Sequence, residues 1–136
     1  KRGEVLVTDE FQSGQSMTKF PGGGLQYGEG TIDCLVREIR EECNQQEIKN
    51  IRHFFTTDFF QKTLFYPNHQ LVSIYYTAEL KGEIQFKISD QPHQYPAGIN
   101  GGQSFRWVKI NMLDLSEFSF PIDKLVAAKL QESLEC

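Results

Sequence analysis

Six consecutive residues, Arg37-Glu38-Ile39-Arg40-Glu41-Glu42, carry three carboxylates and two guanidiniums. Carboxylates gathered on one face suit a hard divalent cation, because magnesium and manganese take carboxylate oxygen, water and substrate phosphate as ligands. At about 100° of rotation per residue, Ile32, Leu35, Val36, Ile39 and Cys43 fall within roughly 50° of one direction. That is the buried stripe of an amphipathic helix. On the same wheel Glu38, Glu41 and Glu42 cluster about 130° from the apolar centre, on one exposed face. Like charges such as Glu38 and Glu42 cost a helix roughly 0.2–0.5 kcal/mol per pair at this spacing. Arg37 relieves part of that repulsion, and a bound cation would relieve more. The plain alternative is a solvated charged face.

The positioning elements are legible around this run. The helix is expected from about Ile32 to Cys43, with Thr31 as N-cap, Gly28 and Gly30 breaking the chain before it, and Asn44 taking a left-handed conformation after it. Upstream lies Pro21-Gly22-Gly23-Gly24, where three glycines let the backbone approach a ligand closely. Glu29 follows before the helix begins.

The order Gly23, five residues, Glu29, seven residues, then Arg37-Glu38-Ile39-x-Glu41-Glu42 resembles the Nudix box, the signature of the Nudix hydrolases. Two positions depart from that pattern: Asn44 stands where the family has glycine, and Gln45 where it has an apolar residue. Asn is the next best residue for a left-handed turn, and Gln45 bears on packing of the following loop. The small pair ahead of the Arg-Glu step is Cys34-Leu35.

The resemblance implies roles. Glu41 and Glu42 match cation-binding glutamates, Glu38 matches a ligand or the base that activates water, and Arg37 matches the arginine that orients it. Glu29 matches the brace of the loop and helix, which sometimes joins the metal shell, and the Gly23 carbonyl is a further ligand. Mg2+ or Mn2+ would be the cofactor, neutralising a pyrophosphate, polarising phosphorus and activating water at neutral pH. Many family members carry another glutamate in the loop before a tryptophan-bearing strand. Here residues 89–104, ahead of Phe105-Arg106-Trp107-Val108, hold no glutamate and only Asp90 as carboxylate. Glu38 is therefore the expected base, with Arg37 and Glu41 completing the catalytic set.

At 136 residues the chain suits one domain, expected over 1–136 as an α/β (α+β) Nudix-type mixed sheet sandwiched between helices. Strands are expected at Glu4 to Thr8, Thr18 to Phe20, Ile51 to Phe60, Gln70 to Leu80 and Phe105 to Ile110. The run Leu71 to Ala78 is apolar enough to predict a central strand. Pro121 opens a second helix, with Ile122, Leu125, Val126, Leu130 and Leu134 as its stripe. Because Nudix domains normally carry another strand before the one at Val5 to Val7, an N-terminal strand is expected ahead of Lys1.

A net charge of −4 offers no basic stripe for a nucleic-acid polymer. Cys34 and Cys43 lie roughly 13 Å apart along one helix, too far for a disulfide. With Cys136 they read as reduced thiols in a cytoplasmic protein. No signal peptide or membrane span is present in the residues given, and His53, His69 and His93 lack paired zinc spacing. The rings of Phe54, Phe55, Phe59 and Phe60, with Phe65 and Tyr66, read first as core, with base stacking or a homodimer surface as alternatives. Arg106 and Tyr95, with His93, stand near the long loop as candidate substrate contacts. Two functions follow: a pyrophosphohydrolase acting on a nucleoside diphosphate joined to another moiety, or a non-catalytic nucleotide or nucleotide-sugar sensor. The four intact acidic positions favour the first. ADP-ribose, a nucleotide sugar, a dinucleoside polyphosphate and an oxidised nucleoside triphosphate all remain open as substrates.

Overall fold

The computed structural model describes residues 3–63 and 66–134. The chain start at Lys1, Phe65 and Cys136 lie outside them. The order is β1 (Glu4–Gln12), β2 (Gln15–Lys19), α1 (Thr31–Glu42), β3 (Glu47–Thr56), β4 (Ile74–Lys81), β5 (Gly102–Lys109), two short 3-10 turns (Ile110–Met112 and Leu115–Glu117) and α2 (Pro121–Leu134). Among the described residues no helix is long and apolar enough to cross a membrane.

The sheet that carries the site has the order β2-β1-β5, antiparallel throughout. Ser13 and Gly14 both take positive φ, 50° and 75°, giving the tight two-residue turn whose twist matches a hairpin. Alternation along β1 then divides the core. Val5 and Val7 face Leu113, Phe118 and Ala127 on the α2 side. Leu6 faces Ile39 of α1 and Cys43 at its C-cap, with Phe105. A three-stranded sheet between two helices is thus the α+β sandwich expected. Strand pairings among the described residues are all antiparallel and fall in two sheets, the second being β3-β4.

The placement of β4 corrects one expectation. The apolar run at 71–78 is not central: among the described residues β4 pairs only with β3, and Leu71, Val72 and Ile74 are exposed. Its apolar side chains instead line a cavity of about 2100 Å³ shared by the β3-β4 hairpin, both helices and the first sheet. β3 ends at Thr56, so Phe59 and Phe60 lie beyond it and line the same cavity, exposed, while Phe54 and Phe55 are half-buried. Ile32 and Leu134, expected in the helix stripes, are also exposed.

Candidate metal and active site

The local sequence explains how α1 is held. Gly30, not Thr31, is the N-cap, and Asp33 accepts a hydrogen bond from the Gly30 N–H at 3.0 Å. At the other end the Gln45 N–H reaches back to the Arg40 carbonyl at 2.8 Å, with Asn44 at φ 51° and Gln45 at φ 67°. This is the Schellman closure that favours glycine or asparagine after the cap. Asn44 also donates to the Gln85 carbonyl at 2.7 Å.

Arg37 is the hub. Its Nε and Nη2 donate to Glu29 Oε2 and Oε1 at 2.9 and 2.7 Å, a two-point guanidinium–carboxylate bond. Nη1 donates to Glu38 Oε1 at 2.8 Å and Glu41 Oε1 at 2.9 Å, and Nη2 to the Gly24 carbonyl at 3.0 Å. The Arg37 bonds hold the Glu29 carboxyl down at about 2, and the same bonds, Glu29 first, raise the pKa of Arg37. One cation therefore ties the glycine loop, Glu29 and two helix carboxylates into a single unit.

Gly23 owes its identity to contact. A Cβ there would stand 2.2 Å from the Glu38 carboxyl carbon, so any side chain would push the Glu38 carboxylate out of its place beside Arg37. The Gly23 carbonyl accepts a weak bond from Cys34 Sγ at 3.9 Å. Cys34 and Cys43 are buried free thiols, and burial pushes both up, Cys43 to about 12.

Glu42 lies beside this unit and outside its bonds. Its Oε2 is buried without a hydrogen-bond partner. Burial, then repulsion from Glu10 and Glu38, pushes its carboxyl up to about 7. A buried, unpartnered carboxylate oxygen next to further carboxylates fits a cation, and the all-oxygen donor set fits a hard one. Among the described residues no three His, Cys, Asp or Glu side chains are already gathered in a cation cage. The residues that could hold such an ion are Glu42, Glu38, Glu41 and Glu29, with the Gly23 carbonyl.

Arg106 and Tyr95 are not brought together with these carboxylates. Arg106 lies on the α2 face of the sheet, donating to Asp9 Oδ2 at 2.8 Å and to Glu117 Oε2 at 3.3 Å. The Tyr95 hydroxyl bonds His93 Nδ1 at 2.6 Å, and His93 Nε2 stands 3.7 Å from Asp9.

The family model for the NUDIX domain matches residues 1–129. The chain belongs to the NUDIX domain family. A solved structure from a structure and function analysis of MutT from the fish pathogen Aliivibrio salmonicida and from Vibrio cholerae is similar at TM-score 0.56 and 20% identity, covering 97% of this chain and 88% of that one. That likeness is one of fold. No curated protein matches. Within this NUDIX domain, two acids are not singled out by the sequence pattern: Glu10 of β1, a buried carboxylate paired with Lys19 at 3.5 Å, and Asp123 of α2, which accepts a 2.6 Å bond from Tyr75. The signal for Asp123 was present, since an acid inside the apolar stripe of α2 has to find a buried partner.

Proposed function

We propose that this NUDIX domain is a divalent-cation-dependent hydrolase that cleaves the pyrophosphate of a nucleoside diphosphate joined to another moiety. The observation that carries the reading is the Arg37 unit with the unpartnered Glu42 Oε2 beside it. Mg2+ or Mn2+ held by Glu42, Glu41, Glu38, Glu29 and the Gly23 carbonyl would supply Lewis-acid chemistry and charge neutralisation to the pyrophosphate.

The chain's own residues do the rest. Glu38 takes the proton of the attacking water as general base. Arg37 holds Glu38 through Oε1 alone, fixing the carboxylate's orientation. Glu29 in turn fixes Arg37 by two bonds, so the base is positioned from the loop. The adjoining cavity, with Phe20, Tyr75 and Trp107 among its walls, offers aromatic surface to the nucleoside. Arg106 and Tyr95 would meet only a distal group reaching the 89–104 loop. The free thiols support work in the cytoplasm.

The test is a panel of ADP-ribose, nucleotide sugars, dinucleoside polyphosphates and oxidised nucleoside triphosphates, assayed with Mg2+ or Mn2+ beside Glu42→Gln. Turnover of one class by the wild type and its loss in Glu42→Gln is the expected result. Tight binding of one compound without turnover under either metal would replace hydrolysis with sensing.

A further inference from the structure

The last turn of α1 carries Glu41 and Glu42, and the chain leaves it through two left-handed residues, Asn44 and Gln45. Glycine, which the family pattern has at 44, would satisfy that backbone equally well. Asn44 adds what glycine lacks, a side-chain amide, whose Nδ2 donates to the Gln85 carbonyl at 2.7 Å. Two residues on, Gln46 is 1% exposed. Its Oε1 accepts from the Gln85 N–H at 2.8 Å, and its Nε2 donates to the carbonyls of Lys81 at 3.0 Å and Glu47 at 3.1 Å. Both backbone groups of Gln85 are thus gripped from the end of α1.

Gln85 lies in the connection between β4 and β5. Its neighbour Phe86 meets Phe105 of β5 edge-on at 5.2 Å between ring centroids, in the cluster that also holds Ile39 and Cys43. Further along, the Ser89 N–H donates to the Phe105 carbonyl at 2.7 Å. The connection is therefore fastened to the sheet at one end and to α1 at the other. A helix end without such anchors frays, because its last carbonyls lack partners. Carboxylates on a frayed turn would have to be ordered before they could hold an ion, at a cost in affinity.

We infer that Asn44 and Gln46 are positioning residues for the cation: by clasping Gln85 they hold the last turn of α1, and with it Glu41 and Glu42, in place before the ion arrives. The inference rests on the cation-dependent reading above. A clasp that served folding alone would leave the affinity of the folded protein for the ion untouched.

The experiment is Mn2+ titration followed by electron paramagnetic resonance, without substrate, on wild type and Asn44→Gly. Glycine keeps the left-handed turn and removes the side-chain bond, so the variant should fold. Mn2+ binding should weaken about 2- to 10-fold, the ratio to which one hydrogen bond corresponds. Coupling is reciprocal, so Mg2+ should in turn slow the local-opening hydrogen exchange of the Gln85 backbone amide in wild-type protein. This second readout needs no variant. Unchanged Mn2+ affinity in Asn44→Gly, or Gln85 exchange indifferent to Mg2+, overturns the inference and leaves the hydrolase reading standing. A wild type that binds no Mn2+ overturns both.

Discussion

Two arginine–carboxylate networks lie on opposite faces of one sheet, and they end differently. On the α2 face, Asp9 is fully buried, and its charge is met inside the fold by Arg106 Nε and Nη2 and by the Thr18 hydroxyl at 2.7 Å. Burial pushes Asp9 up, yet those bonds outweigh it and hold the carboxyl below its ordinary value. On the α1 face, one guanidinium serves Glu29, Glu38 and Glu41. Glu42 is left over, with one oxygen unpartnered and its carboxyl at about 7. The first network is closed and acts as a strut. The second carries surplus negative charge, which is what a site for an external cation requires.

The comparison breaks most sharply at Glu38. Glu38→Gln should lower kcat by about 10²–10⁴-fold, the usual contribution of a general base, while thermal melting stays near wild type. A variant with full turnover would remove Glu38 as the base. Asp9→Ala should do the opposite. Losing one partner of a buried pair costs about 3–5 kcal/mol, read as a lower urea midpoint, with Mn2+ affinity of the folded protein unchanged. An affinity loss there would show that the two faces are coupled.

Asp123 sharpens the contrast because it is a buried acid with a neutral partner, Tyr75. Burial raises its carboxyl from 3.8 to about 6. The folded state therefore holds this proton more tightly than the unfolded chain. The resulting stability is fully present below about pH 4 and lost as pH rises through about 6. Asp123→Asn should melt above wild type at pH 7, by up to about 3 kcal/mol at about 1.4 kcal/mol per pKa unit. The gap should close by pH 4, as followed by circular dichroism.

What sequence could show was local. The left-handed Asn44, the glycine loop and the α1 stripe apart from the exposed Ile32 follow from spacing within one segment. Glu10, Asp9 and Asp123 gain their meaning from partners dozens of residues away, such as Gln103 and Arg106 on β5 and Tyr75 on β4. The run at 71–78 misled for a related reason. Apolar content records that a strand meets apolar surroundings, and a cavity wall meets that condition as well as a sheet interior does.

The central claim, that the α1 face holds a divalent cation for pyrophosphate hydrolysis, is tested most directly by Mn2+ titration of wild type beside Glu42→Gln. The expected result is a saturable Mn2+ site in the wild type that weakens at least about tenfold in the variant. Equal binding by the two proteins, or none by the wild type, would contradict it.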